Sequence, residues 1–242
     1  MTRSEIIKFV ILRSIGNFLV LFAVFGVFAT FGPTIYYEIQ FRIVQARGIH
    51  YTVVEPVASE GSSFGDILKS QGEVLPQNSG GFASVLSGPK EQILVPKDTN
   101  FSILIPKIGA NAKVIPNVDP SNENEFLFAL QSGVAHAKGT VFPGMPGNIY
   151  LFAHSTDNFW NVGRYNAIFY LLKDLSKGDE IVVFFENIRH NYVVSESKIV
   201  DSSDVSQLTK KQSVLNPETL ILQTCWPPGT AWKRLLVFAK PK

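Results

Sequence analysis

Apolar and polar positions divide the chain into three stretches. Between Ser14 and Tyr37 no side chain is charged, and Phe18, Leu19, Val20, Leu21, Phe22, Ala23, Val24 and Phe25 follow one another without a polar break. A helix that is apolar on every side suits hydrocarbon better than the surface of a soluble domain, and about 20 such residues cross a bilayer core. Tyr36 and Tyr37 suit the membrane interface. Arg3, Lys8 and Arg13 precede the run and favour a cytoplasmic N-terminus, a bias moderated by Arg42 and Arg47 beyond it. Bulky Phe31, Pro33 and Tyr36 stand where a small-residue cleavage site would be needed, so the pattern predicts an uncleaved anchor rather than a cleaved signal peptide.

The second stretch has little periodicity. Glu38 to His50 is expected to continue as a short juxtamembrane helix. Residues 55–90 are rich in Gly, Ser and Pro, including Gly61-Ser62-Ser63 and Asn78-Ser79-Gly80-Gly81. They read as a flexible stalk that lifts the next domain off the membrane, with at most a helical turn at Phe64 to Leu68.

From Glu91 onward the pattern changes to short β-type runs separated by turn residues. Phe101 to Ile105 stops at Pro106, and Ala112 to Ile115 is closed by Pro116. Asn124 to Gln131 reads as a helix, with Ser121 as candidate cap and Glu123 and Glu125 near the positive end of its dipole. Asn148 to His154 is a strand and Tyr165 to Leu172 a short amphipathic helix. Glu180 to Glu186 and Arg189 to Ser195 form a hairpin around Asn187-Ile188, and Thr219 to Thr224 and Arg234 to Ala239 are the final strands. About eight short strands and two helices make a mostly β fold, a barrel or a sandwich. The chain thus divides into a cytoplasmic tip and anchor (1–40), a juxtamembrane segment and stalk (41–96) and a β domain (97–242).

Composition narrows the function. A formal charge of +2 over 242 residues offers no electrostatic grip on nucleic acid. One cysteine excludes an internal disulfide and any multi-cysteine zinc site. The carboxylates are scattered and no loop has calcium-ligand spacing, so neither a metal nor a cofactor is expected.

The single cysteine is the main candidate for chemistry. Leu220-Ile221-Leu222-Gln223-Thr224 leads to Cys225, and Trp226-Pro227-Pro228-Gly229 then breaks the strand. A thiol at a strand end sits at the rim of a barrel, where a rigid scaffold presents reactive groups. Arg234 begins the next strand, so it stands beside Cys225 if the two strands pair, and a guanidinium there favours thiolate. His154 likewise follows a strand. Histidine serves as base or counter-ion to a cysteine nucleophile, and arginine offers fixed donors to a developing oxyanion.

These residues resemble a known family. Leu222-Gln223-Thr224-Cys225-Trp226-Pro227, with Arg234-Leu235-Leu236-Val237 after a loop, is similar to the sortase signature T-L-x-T-C followed by an arginine. Gly147-Asn148 through Ala153-His154 resembles the family's histidine motif. Leu104-Ile105-Pro106-Lys107-Ile108-Gly109, Gly133-Val134-Ala135-His136, Gly139-Thr140, Pro143-Gly144 and Leu175 with Gly178-Asp179 resemble further family segments, in family order. The resemblance covers about Lys97 to Lys242. It implies an eight-stranded sortase-type barrel outside the cell, tethered by a single-pass N-terminal helix. It implies a cysteine transpeptidase with Cys225 as nucleophile, His154 as proton partner and Arg234 as oxyanion clamp, and substrate-side roles for Thr224, Trp226 and His136. The implied partners are secreted proteins with a C-terminal LPxTG-like sorting signal, a peptidoglycan or pilin amine as acceptor, and the lipid bilayer.

Two other readings remain. A non-enzymatic, membrane-tethered β-barrel binding module would keep the fold with Cys225 merely buried. An L,D-transpeptidase-like enzyme would carry Ser-His-Gly-Cys, where this chain has Leu-Gln-Thr-Cys.

Overall fold

The computed structural model describes residues 3–53, 91–155, 168–209 and 216–242. The first element, α1 (Arg3–Ala46), is one continuous helix. Its part Arg3–Phe28 is, by length and composition, able to cross a membrane, and its large apolar side chains lie exposed. At 1.5 Å per residue this stretch extends about 39 Å, more than the roughly 30 Å of a hydrocarbon core.

The C-terminal end of α1 does not stand clear of the β domain. Phe41, Val44 and Ile49 are buried. Lys173 Nζ lies 3.0 Å from Glu38 Oε2, the Tyr170 hydroxyl donates to the same oxygen at 3.3 Å, and Gln45 Nε2 donates to the Lys107 carbonyl at 3.4 Å. Positions 38, 41 and 45 recur at the spacing of one helix face. A short parallel pair follows, β1 (His50–Val53) with β2 (Glu91–Leu94). It covers the barrel's outer wall, where Tyr51 and Val53 pack on Leu94, Leu104, Val182 and Phe184. The helix expected beyond Glu38 thus runs to Ala46, and a strand follows it at His50–Val53, both against the barrel; residues 54–90, and with them the stretch expected to be a flexible stalk, lie outside the described residues.

Eight strands close the barrel in the order β10-β8-β7-β3-β4-β5-β6-β9. They are β3 (Phe101–Ile105), β4 (Ala110–Val118), β5 (Val134–Ala137), β6 (Asn148–Phe152), β7 (Glu180–Phe185), β8 (Ile188–Asp201), β9 (Thr219–Trp226) and β10 (Lys233–Pro241). The interior is filled by alternate residues such as Ile103, Val114, Val183, Leu222 and Val237, all fully buried. The mostly β, eight-stranded barrel and the apolar N-terminal helix are as expected from the sequence. β1 and β2 were not foreseen, because each is only four residues long.

Local expectations shift by small amounts for identifiable reasons. β4 runs through Pro116 instead of stopping there, since its pairing with β5 shifts register between Ile115 and Val118 and a bulge tolerates proline. The helix α2 (Glu123–Ser132) is capped by Asn122, whose side chain accepts from the Glu125 N–H at 3.3 Å, not by Ser121. Gly133 ends α2 where the chain passes β4 so closely that a Cβ would lie 2.3 Å from the Lys113 carbonyl oxygen. The β7–β8 turn falls on Glu186-Asn187, both at positive φ, as a two-residue hairpin of matching twist demands. The helix expected at Tyr165–Leu172 is, where described, a 3-10 turn at Tyr170–Asp174; its start lies outside the described residues. A short helix, α3 (Ser206–Thr209), lies between β8 and β9.

Candidate functional site

Strand register assembles the site. β9 and β10 are antiparallel neighbours, and Arg234 stands directly opposite Cys225. Directly opposed Cα atoms lie about 4.5–5.5 Å apart, with side chains on the same face. Both residues are half-buried. The expected adjacency is thus met, with one difference: β9 continues through Cys225 to Trp226, so the thiol is borne by a paired strand rather than by the loop after it.

β6 approaches β9 from the other side, in parallel, with Phe152 opposite Gln223. Beyond the last ladder pair the contact persists. The Ala153 N–H donates to the Gln223 carbonyl at 3.1 Å, and the Thr224 hydroxyl donates to the Ala153 carbonyl at 3.1 Å. Two places past Phe152 is His154, and two places past Gln223 is Cys225. The ladder ends at Phe152 and Gln223, two places before His154 and Cys225, and both of the latter are half-buried. The residues that follow, from 156 to 167, lie outside the described residues.

Alternation along these strands sorts the remaining candidates. Tyr150 and Phe152, then Ile221, Gln223 and Cys225, then Arg234 and Leu236 share the outer face of the wall. Thr224 is on the opposite, inner face, only 3 % exposed. Its hydroxyl ties β6 to β9 at the point where both reach the site. Trp226 alternates to the same side as Thr224 and packs against the core.

His136 is also inside the barrel, opposite Leu151 and fully buried. Its ring stacks on Phe142 with centroids 4.6 Å apart and lies 5.7 Å from Phe101. The Asn117 N–H donates to Nδ1 at 3.3 Å, which makes Nδ1 the acceptor and Nε2 the donor, toward the Val141 carbonyl at 3.1 Å and the Thr140 hydroxyl at 3.0 Å. Burial holds its pKa below the ordinary histidine value, opposed by the hydrogen bond to Val141. Thr224, Trp226 and His136, for which substrate-side roles are expected, thus lie on the face of the wall opposite to that of Cys225.

The Arg234 fork is already oriented. Its Nη1 donates to the carbonyls of Ala231 and Lys233, each at 3.1 Å, within the β9–β10 loop. Two residues not singled out from sequence also belong to this face. The Tyr150 hydroxyl donates to Gln223 Oε1 at 2.5 Å, and the positive charge of Arg234 acts on Tyr150, partly offsetting the upward pKa shift caused by burial. Counting alternate positions back from Cys225 and His154 would have found them. Among the described residues no three His, Cys, Asp or Glu side chains cluster closely enough to hold a metal ion.

The pairing of β6, β9 and β10 thus brings the chain's one cysteine opposite an arginine, with a histidine two places past the end of β6. A protein-family model described as the Sortase domain matches residues 103–242. Sortase D of Bacillus subtilis (strain 168) is 30% identical over 139 residues, which are 56% of this chain and 60% of that protein; the chain thus spans less than two thirds of that relative. Among solved structures, sortase C-1 from Actinomyces oris is 25% identical with a TM-score of 0.48, over 60% of this chain and 75% of the other. A lid mutant of sortase A from Corynebacterium diphtheriae is 20% identical with the same TM-score of 0.48, over 85% and 93%.

Proposed function

The chain belongs to the sortase family, and from that premise we propose that it is a membrane-anchored cysteine transpeptidase acting on LPxTG-like sorting signals. The observation that carries this reading is the register that sets Arg234 opposite Cys225, with β6, the strand that runs up to His154, paired to the strand that bears Cys225.

In the proposed cycle the Cys225 thiolate attacks the carbonyl carbon of the scissile Thr–Gly amide. Negative charge builds on the carbonyl oxygen, where the Arg234 guanidinium donates hydrogen bonds to it. His154, protonated, gives its proton to the leaving amine as the C–N bond breaks, and the acyl group remains on Sγ as a thioester. An amine of the cell wall or of a pilin then attacks the thioester, passes its proton to His154, and releases the Cys225 thiolate. α1 holds the enzyme in the membrane as a single-pass anchor, with the N-terminus cytoplasmic and the catalytic domain (97–242) outside.

The test uses the full-length chain in detergent with an LPxTG-type peptide. A Cys225-linked acyl adduct should appear by mass spectrometry, and Cys225→Ala should abolish both adduct and cleavage. Retained cleavage by the purified Ala variant would overturn the assignment. A Cys225 inert to both peptide and alkylating reagent would favour a binding module instead.

A further inference from the structure

Strand direction separates the two ends of the barrel. Where β9 reaches Cys225 and β10 begins at Arg234, β3 also ends and β7 begins; the opposite end carries the start of β9, the close of β10 and the β7–β8 hairpin. The chain that follows the membrane-spanning part of α1 meets the Cys225 end first. Glu38 binds Tyr170 and Lys173, in the 3-10 turn that leads into β7. That turn closes this end of the barrel, with Phe169, Leu172 and Leu175 buried in the core. Gln45 binds the Lys107 carbonyl, in the 3-10 turn Pro106–Ile108 that follows β3. The Tyr51 ring comes next, so near Gly109 that a Cβ there would lie 3.2 Å from it. Only then does the Val53 carbonyl accept from Arg189 Nη1 at 3.5 Å, at the start of β8 and the opposite end. Residues 38–53 thus run along the wall away from the membrane, from the end that bears Cys225 to the end that bears the hairpin.

Height is set along α1. About 20 residues counted from Ser14, where the uncharged run begins, span the hydrocarbon core and reach Pro33. Glu38 then lies about 7.5 Å further at 1.5 Å per residue, at the outer edge of a headgroup layer roughly 5–7.5 Å thick. Its contacts seat the closed end of the barrel against the headgroups. The same end leaves large apolar side chains in the open. Trp232, in the loop before Arg234, is 74% exposed, and Ile199 and Val205, near the close of β8 and just past it, are 50% and 51% exposed. They are brought together by the pairing of β8 with β10, where Ile199 stands opposite Leu235 and Asp201 opposite Lys233. An indole beside a lysine, with aliphatic neighbours, suits the membrane interface: the ring sits among headgroups and the lysine reaches past it to water. Resting on the membrane-anchor part of the proposed function, we propose that the Cys225 end of the barrel faces the bilayer, and that Trp232, Ile199 and Val205 form a lipid-contacting patch that holds it there. α1 fixes the barrel from one side and the patch from the other, so the thiol is reached along the lipid surface.

The single cysteine provides the test. The full-length chain, carrying a donor dye on Cys225, is reconstituted into vesicles of phosphatidylcholine and phosphatidylglycerol that contain a small fraction of acceptor-labelled headgroups. The comparison is Ile188→Cys in a Cys225→Ala background, which puts the same dye on the exposed hairpin at the opposite end. The six residues of β7 alone separate the ends by about 17 Å. Energy transfer to the headgroups should be stronger from position 225 than from position 188. Equal transfer, or stronger transfer from 188, would overturn the orientation while leaving the anchor intact, and a chain that does not float with the vesicles would overturn both. The patch is tested by lipids brominated near the headgroup. They should quench part of the tryptophan emission of the wild type, and Trp232→Ser should remove that part, because Trp226 packs against the core. Trp232→Ser should also weaken transfer from Cys225 as the end lifts. Quenching and transfer both unchanged in Trp232→Ser would overturn the lipid contact.

Discussion

Thr224→Val isolates the positioning of the site from its chemistry. Valine matches threonine in shape, so the inner wall of the barrel stays filled, but the hydroxyl that donates to the Ala153 carbonyl at 3.1 Å is lost. Thr224 and Ala153 are 3% and 8% exposed, so water does not readily replace the missing donor. A buried acceptor deprived of its partner costs about 1–3 kcal/mol. For a chain of this size each kcal/mol lowers Tm by roughly 2–4 °C, so a fall of several degrees is expected in a thermal melt of the full-length chain. Activity should suffer more than this loss explains, because the protein remains folded at 25 °C. The broken tie lies one residue before His154 and one before Cys225, and a shift of about 1 Å between reacting groups costs on the order of 100-fold in rate. We expect kcat/KM for peptide cleavage to drop by tenfold or more. Thr224→Ser retains the hydroxyl, so it should keep the rate while losing some stability through the missing methyl. A lower Tm with unchanged kcat/KM in Thr224→Val would refute the positioning role, and an unchanged Tm would refute the energetic weight given to this hydrogen bond.

Other perturbations test separate parts of the reasoning. His154→Ala should lower kcat/KM by about 10² or more, the usual range for an acid–base group, whereas His136, inside the barrel, should affect stability; the reverse pattern in peptide-cleavage kinetics would reassign the histidine. Arg234→Lys keeps the charge but loses the planar fork, so it should be impaired nearly as much as Arg234→Ala, by roughly 10²–10³; rescue by lysine would mean that charge alone suffices. The buried His136 has its pKa depressed in the folded state, so the unfolded chain binds the proton more tightly. Its contribution to stability is then full above the unfolded value of about 6.5 and lost as pH falls below it. Melts from pH 7.5 to 5 should fall less steeply for His136→Gln than for the wild type, and identical slopes would refute the link. Phe41→Asp places a carboxylate on the face of α1 that packs on the barrel, where Phe41 is 8% exposed. Limited proteolysis of the membrane-bound chain between α1 and β1 should accelerate by roughly tenfold as this contact opens, and an unchanged rate would mean that the docking contributes little.

Local patterns in the sequence determined most of the elements and named the candidate reacting groups. An uncharged run long enough for a bilayer, strands punctuated by proline and glycine, one cysteine after Thr224, a histidine after a strand and an arginine opening another are properties of neighbouring residues, and such properties survive without a fold. What the linear pattern left open is which face each residue takes and which distant segment lies beside it. Thr224, Trp226 and His136 are near the motifs in sequence, yet the alternation of paired strands turns them inward, while the same alternation brings Tyr150 and Gln223 out beside Cys225. The parallel pairing of β6 with β9 joins positions about 70 apart, and the contacts of Glu38 with Lys173 and Tyr170 span more than 130. Barrel closure and side-chain packing choose such partners from many with similar local propensity. The membrane run and the candidate chemistry were therefore legible in the chain, whereas the division of the wall into a reactive face and an inner face was decided only by tertiary structure.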